Sequence, residues 1–310
     1  MEPHRRVMDQ RLVTVFGGTG FLGRRIVRHL RERGFSVRIA TRHPDRSRSL
    51  FGNDAPEFTS VRCDIHDERS IAATLAGACA AVNAVSLYVE HGSETFHSVH
   101  VDGARRLATA ARAAGLARLV HLSGIGADPG SSSLYVRKRG EGELAVRDAF
   151  AGTTLIRPAV MFAPDDAFLT TVVGLLRRLP IYPMFGSGLT RLQPVYVEDV
   201  AEAIARVLQS TQPHVPTFEL GGPRVYSYEE FLRTVAREVN VGARLVPVPF
   251  VAWRALARIA EMLPSPPITC NQVDLMQIDT LASLQLPGFG DLGISPRPLE
   301  EILRRIQSNP

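Results

Sequence analysis

Residues 11–34 read RLVTVFGGTGFLGRRIVRHLRERG. Residues 11–16 (RLVTVF) form a short apolar run with β-branched members, which predicts a strand. Gly17, Gly20 and Gly23 follow in a G-x-x-G-x-x-G spacing. Beyond them Leu22, Ile26, Val27 and Leu30 recur at helical spacing, and Gly34 stands where a helix C-cap is wanted. FSVRIATR (35–42) then predicts a second strand. Strand, glycine turn, helix and strand make one βαβ unit, and with this glycine spacing the unit is the dinucleotide-binding fingerprint of a Rossmann-type domain. Gly17 permits the tight turn, Gly20 lets the backbone approach a pyrophosphate, and Gly23 lets helix and strand pack closely. The helix N-terminus offers N–H groups and a partial positive charge to the phosphates. Thr19, Phe21 and Leu22 complete the loop.

The alternation continues outward. FTSVRCD (58–64), AAVNAVS (80–86), LARLVHLS (116–123) and TTLIRPAVMF (153–162) predict strands. ERSIAATLAGA (68–78) and VDGARRLATAARAAG (101–115) predict the helices between them. This is the α/β class, a doubly wound parallel Rossmann sheet covered on both faces. After about residue 160 Pro and Gly become frequent, as in PIYPMFGSG and LVPVPF. The expected division is a dinucleotide-binding domain over 1–160 and a smaller, mostly helical substrate or partner domain over 161–310. Residues 190–212, around VEDVAEAIARVLQS, are expected to return and pack on the first domain.

Composition excludes several function classes. Hydrophobic content of 45% and charged content of 22% are those of an ordinary globular protein. The formal charge of +5 does not signal nucleic acid: Lys138 is the only lysine, the arginines are spread along the chain, and no basic run is interleaved with aromatics. Cys63, Cys79 and Cys270 lie far apart without CxxC spacing and read as small hydrophobes in a reducing compartment. No HExxH and no clustered ligand spacing occur, so no metal is expected. No apolar run is long enough for a membrane-spanning helix, and the opening MEPHRRVMDQ has no apolar core of a secretory signal. A cytoplasmic location is expected. In VPFVAWRALARIAEMLPSPP, Trp253, Leu256, Ile259 and Met262 interleave with Arg254 and Arg258. This amphipathic stripe is read as the core face of a helix in preference to a membrane-surface or partner contact.

The end of the second strand bears on the dinucleotide. An NAD-specific site commonly offers an acidic residue there to the ribose 2′-hydroxyl. This chain offers Arg42, with Arg46 nearby and no acidic residue before Asp45. An arginine fork suits a 2′-phosphate, so NADP(H) is favoured over NAD(H). The other reading of Arg42 is one more solvated arginine.

With these residues in view, the chain resembles the extended and atypical short-chain dehydrogenase/reductases. It is most similar to the group that includes the NAD(P)H-binding accessory subunit of respiratory complex I and its bacterial relatives. The resemblance rests on VTVFGGTGFLGR, CDIHD, FHSVHVDGARRL, RLVHLSGIGAD, SLYVRKRGEGE, LIRPAVMFAP, RLQPVYVEDVAEAI, FELGGPRVYSYEEF and DLGISPRPLEE. It implies that Asp64 and Ile65 flank the adenine. It places Asn83, Ala84 and Val85 beside the adenosine ribose and the middle of the cofactor, and Pro158, Ala159 and Val160 against the nicotinamide end. Asp64 as a helix N-cap, and NAVS as a buried strand end, are the plainer alternatives.

The resemblance also implies a tyrosine proton donor with a lysine four residues on. Tyr135 is present in SLYVRKRGEGE, but the residue four on is Arg139, and Lys138 sits three on, rotated about 100° around a helix. Arg139 could still give positive charge to Tyr135 and a donor to the nicotinamide ribose, though it does not titrate in the range of a proton relay. Ser123 ends its strand slightly early, Gly124 and Ile125 occupy the usual places of a substrate-facing hydroxyl, and His100 stands in place of the relay asparagine. Tyr135 and Arg139 are therefore both the candidate catalytic pair and candidate cofactor contacts. Two functions stay open, and a third class, a transcriptional co-regulator that senses NADP(H), has no sequence feature of its own here. One is an NAD(P)H-binding protein whose cofactor is structural or regulatory, with a respiratory-complex partner at the face of the inner membrane. The other is an active NADP(H)-dependent reductase, dehydrogenase or epimerase on a small carbonyl or quinone-like substrate.

Overall fold

The computed structural model describes residues 11–51, 58–212, 214–263 and 266–307; MEPHRRVMDQ, read above for a signal, lies outside them. A central sheet of seven strands organises the first part of the chain. Its strands are β1 (Leu12–Phe16), β2 (Ser36–Thr41), β3 (Phe58–Arg62), β4 (Ala80–Asn83), β5 (Arg118–Leu122), β6 (Thr153–Pro158) and β7 (Thr217–Leu220), in the order β7-β6-β5-β4-β1-β2-β3. Strands β1 to β6 pair in parallel. Val13 of β1 stands opposite Val37 on one side and Ala80 on the other, so β1 is central and its residues 13–16 are all buried. That is why this strand reads as a continuous apolar run and not as an alternation.

The helices are α1 (Gly23–Glu32), α2 (Pro44–Phe51), α3 (Glu68–Leu75), α4 (Ala104–Ala113), α5 (Leu134–Ala149) and α6 (Val197–Gln209). Ile26, Val27 and Leu30 are the buried stripe of α1. Ile71 and Leu75 of α3 and Leu107, Ala108 and Ala111 of α4 share one buried cluster with Phe16, Ala81 and Leu119 of the sheet. The buried Arg25 of α1 donates through Nε to Glu198 of α6 at 2.9 Å, and His29 reaches the other carboxylate oxygen at 3.1 Å. The helix α4 is preceded by π-helical residues His97–Gly103, which the periodicity of VDGARRLATAARAAG did not show.

Two glycines seat α5. A Cβ on Gly142 would lie 2.1 Å from the His100 carbonyl oxygen, and one on Gly140 would lie 2.4 Å from the Pro129 nitrogen. Only glycine admits backbone that close. Glu143 of α5 and Glu219 of β7, both buried, receive the Arg157 guanidinium of β6.

The chain divides into two compact units. The first runs to Arg157 and includes Glu198–Glu219 and Leu286–Ile294; the second comprises Pro158–Val197, Leu220–Gln285 and the chain from Ser295. The second unit has its own core, with Tyr182, Met184, Phe231, Leu232 and Leu303 buried together. Its strand Ile181–Phe185 pairs in parallel with Arg244–Val248. The amphipathic stripe of the following helix, Phe250–Ala260, corrects the expectation of a core face. Trp253 does pack inward, donating to the Met184 carbonyl at 3.2 Å, and Ala257 and Ala260 are buried. Leu256, Ile259 and Met262 instead are 51%, 66% and 85% exposed. Residues 253, 257 and 260 follow the 3.6 period, whereas 256 and 259 lie on another face and Met262 falls just past the helix end. No helix among the described residues is long and apolar enough to cross a membrane.

Candidate functional site

In the first unit, the C-terminal ends of β1, β2 and β4 meet the glycine loop, and a cleft opens there. The sheet runs one way from β1 to β2 and β3 and the other way to β4. This is the topological switch point at which open α/β sheets bind ligands. Gly17, Thr19 and Gly20 line the cleft from the loop, Arg42, His43 and Arg46 from the end of β2 and the residues after it, and Ala84, Val85, Ser86 and Leu87 from the end of β4; Ile65 and Glu94 are among the other lining residues.

Each glycine of the triplet is held for a different reason. Gly17 has φ +74°, and a Cβ there would also lie 2.8 Å from the Ala84 carbonyl oxygen. A Cβ on Gly23 would lie 2.0 Å from the Gly17 carbonyl oxygen, so the helix cannot start this close to the strand with any other residue. Gly20 is bounded only by that same oxygen, at 3.1 Å, and otherwise faces the cleft. The helix that follows has no side-chain cap at Leu22 and no acidic residue in its first turn. The Arg24 and Arg25 N–H groups of that turn bond the Gly20 and Leu22 carbonyls, so the helix start offers its partial positive charge, unopposed by any acidic side chain, to a bound pyrophosphate. The cradle therefore fits a dinucleotide.

The remaining loop and strand-end residues are placed individually. Phe21 lies under the Arg25 guanidinium, 4.6 Å from ring centroid to Cζ, and Leu22 is buried in the core. The Asp64 carboxylate accepts the His66 N–H at 2.9 Å, and Asp67 is the residue that caps α3. Ile65, not Asp64, lines the cleft. Asn83 is buried: Oδ1 accepts the Val85 N–H and Nδ2 reaches His121 Nδ1 at 3.1 Å, so its side chain shapes the turn that presents Ala84 and Val85. Pro158 closes β6, with Ala159 and Val160 after it in the second unit, where the Ala159 N–H donates to the Leu220 carbonyl.

Around Tyr135 the side chains are densely bonded. Arg139 is 7% exposed and donates through Nε and Nη2 to Tyr135 Oη at 3.2 and 3.0 Å, through Nη1 to the Leu122 carbonyl at 2.9 Å, and through Nη2 to Ser86 Oγ at 2.6 Å. Burial opposes its charge, but the phenols of Tyr135 and Tyr88 outweigh burial and hold its pKa above the ordinary value. The Tyr88 ring stacks on Tyr135 at 5.9 Å. The neighbouring Tyr135 phenol holds the Tyr88 hydroxyl above its ordinary value, against the pull of Arg139 and Ser86. Lys138 points away and pairs with Glu141.

Two buried histidines complete the cluster. Burial first, then the Arg139 charge, lower His100 to about 2 and His121 to about 3. His100 Nε2 accepts the Leu87 N–H at 3.0 Å, so the ring proton is on Nδ1, and that buried atom has no partner among the described residues. Ser123, just past β5, is anchored by its own N–H to the Ile156 carbonyl, while its buried Oγ has no partner among them either. At Gly124 a Cβ would meet nothing within 4 Å. Sequence reasoning missed Ser86, Tyr88, His121 and Glu94. Ser86 lay within the quoted NAVS segment, but Glu94 carries no local signal of a site.

Comparison with known proteins agrees with this geometry. Residues 13–221 match the NAD dependent epimerase/dehydratase family. A mitochondrial NADH dehydrogenase [ubiquinone] 1 alpha subcomplex subunit 9 from Arabidopsis thaliana is 32% identical over 303 residues, covering 93% of this chain and 75% of that protein. A ceramide reductase from Caulobacter vibrioides is 32% identical over 244 residues, covering 77% of this chain and 74% of that protein. In fold, the chain is similar to an NADPH-dependent quinone oxidoreductase from Escherichia coli solved with NADPH. The TM-score is 0.74 at 18% identity, covering 95% of this chain and 99% of that one.

Proposed function

The chain belongs to the NAD dependent epimerase/dehydratase family, and on that premise we propose that it holds NADP(H) chiefly as a structural or regulatory cofactor. The uncapped start of α1 takes the pyrophosphate, Gly20 gives it room, and Ala84 and Val85 lie along the adenosine half. Arg42, with Arg46 and His43 beside it in the cleft wall, receives the 2′-phosphate of NADPH through charge-assisted bonds. The chain's similarity to a complex I subunit supports a respiratory-complex partner and a place at the face of the inner membrane.

One observation carries the holding role: the Arg139 guanidinium, which replaces the family's lysine, is bonded at Nε, Nη1 and Nη2 to protein oxygens. Its Nη2 carries two of those bonds, to Ser86 and Tyr135. The neighbouring histidines stay neutral through the physiological range. Tyr135 thus has a charged neighbour but no second proton carrier to reload it.

A different observation favours a second reading. The unpartnered Ser123 Oγ and His100 Nδ1 are polar atoms whose burial calls for a partner. The His100 ring stands edge-on to Tyr135, 5.5 Å between centroids. In an active reductase these two donors would hold a carbonyl oxygen while Tyr135 delivers the proton; bound nicotinamide would supply the hydride. The experiment for the primary reading is to identify the nucleotide that co-purifies and measure both dinucleotides by calorimetry. NADP(H) is expected in the protein and NADPH is expected to bind more tightly. A chain that binds neither would overturn the reading.

A further inference from the structure

Glu94 shares the cleft wall with Arg42. One carboxylate oxygen lies 3.3 Å from Arg42 Nη1, and the other is 3.0 Å from His66 Nε2. The loop that carries it is closely built. His91 and Glu94 exchange backbone bonds across a two-residue turn, and Gly92 supplies φ +57° at its first position, the arrangement of a tight hairpin turn. The Glu90 side chain accepts the Phe96 N–H, and Thr95 and Ser98 bond each other's backbone N–H groups. Glu94 is therefore presented to the cleft by a rigid turn.

We propose that Glu94, latched onto Arg42, sets the discrimination between the two dinucleotides. The proposal rests on the dinucleotide reading above and deepens it. The acidic residue that an NAD-selective site offers from the second strand is here brought in from the loop after β4. A 2′-phosphate must draw Arg42 away from Glu94 and lie beside an opposing carboxylate. A 2′-hydroxyl can donate to Glu94 with the ion pair intact. Arg46, exposed in the same cleft wall, is the cation that meets the phosphate before Arg42 moves. Like charges in one site disfavour the more highly charged ligand. Glu94 thus narrows the preference that the arginines create.

The test measures the affinities of NADPH and NADH for wild type, E94Q and E94A by calorimetry, with 2′,5′-ADP and 5′-AMP as fragment competitors. Both substitutions are expected to raise the NADPH-to-NADH affinity ratio about tenfold or more. The gain should appear in 2′,5′-ADP and not in 5′-AMP, and it should shrink as salt is raised. If wild type binds dinucleotide and the ratio is unchanged in both variants, Glu94 is not the discriminating residue and the dinucleotide reading stands. If wild type binds neither dinucleotide, both fall.

Discussion

At the glycine loop a helix begins without a capping side chain, a glycine faces open space, and two exposed arginines line the cleft. Around Tyr135, more than a hundred positions later in the same unit, the buried guanidinium is bonded to protein on all three nitrogens and both histidines are locked neutral. The first region offers an uncapped helix start, open space and exposed cations to a ligand, and the second satisfies most of its own polar groups. Groups left available at a helix N-terminus mark a binding site, whereas groups engaged with one another hold a geometry. The difference supports the proposed holding of a dinucleotide.

The strongest way to break that contrast is Gly20→Val. Its branched side chain would occupy the space in front of the loop, where only the Gly17 oxygen is near. Loss of measurable dinucleotide binding is expected with the fold retained, read by calorimetry and circular dichroism. Retained affinity would mean that the phosphates sit elsewhere.

The locked histidines give the next largest effect. The unfolded chain takes up protons at both positions below about pH 6.5, while the folded protein keeps them neutral down to about 2 and about 3. The unfolded state therefore binds more protons in that window, and stability falls as pH falls. Between about pH 7.5 and 5.5 the two histidines should remove about 2.5 kcal/mol in denaturant unfolding. His100→Gln should halve the slope. A halved slope in wild type would mean that one ring takes up its proton in the folded state, and a flat profile that both do.

Arg42→Ala should weaken NADPH by about 1.5 kcal/mol more than NADH, the low end for a hydrogen bond to a charged group at an exposed site. Equal losses for both would remove Arg42 from the 2′-position. Gly124→Ser, which adds a hydroxyl into open space, should change stability by less than about 0.5 kcal/mol. If it also brings carbonyl-dependent NADPH oxidation, the missing hydroxyl was what kept the Tyr135 cluster inactive.

The binding region was far more legible in the sequence than the cluster. A strand, three spaced glycines and an apolar helical stripe are local signals, and each glycine has a steric cause visible in the loop itself. Asn83 and Ile65 were found as positions, but their sequence could not tell that Asn83 turns inward to His121 while Ile65 lines the cleft. Glu94 was missed because the rule for acidic residues looks at the end of the second strand, and this carboxylate arrives from a hairpin some fifty positions later. The spacing of Tyr135 and Arg139 did show that they share a helix face. That Leu122 and Ser86 would take up the remaining guanidinium donors depends on packing between distant segments. The stripe at Trp253 to Met262 failed for a related reason, since periodicity identifies an apolar face without saying which of two adjacent faces finds a partner.

We propose that this chain holds its dinucleotide at the glycine loop and that the Tyr135 cluster does not turn it over. Wild type and Tyr135→Phe, loaded with NADPH, are compared for oxidation of the cofactor against a panel of carbonyl compounds and quinones. No carbonyl- or quinone-dependent oxidation by either protein is expected, with near-equal NADPH affinity in both. Turnover by wild type that is lost in Tyr135→Phe would contradict it.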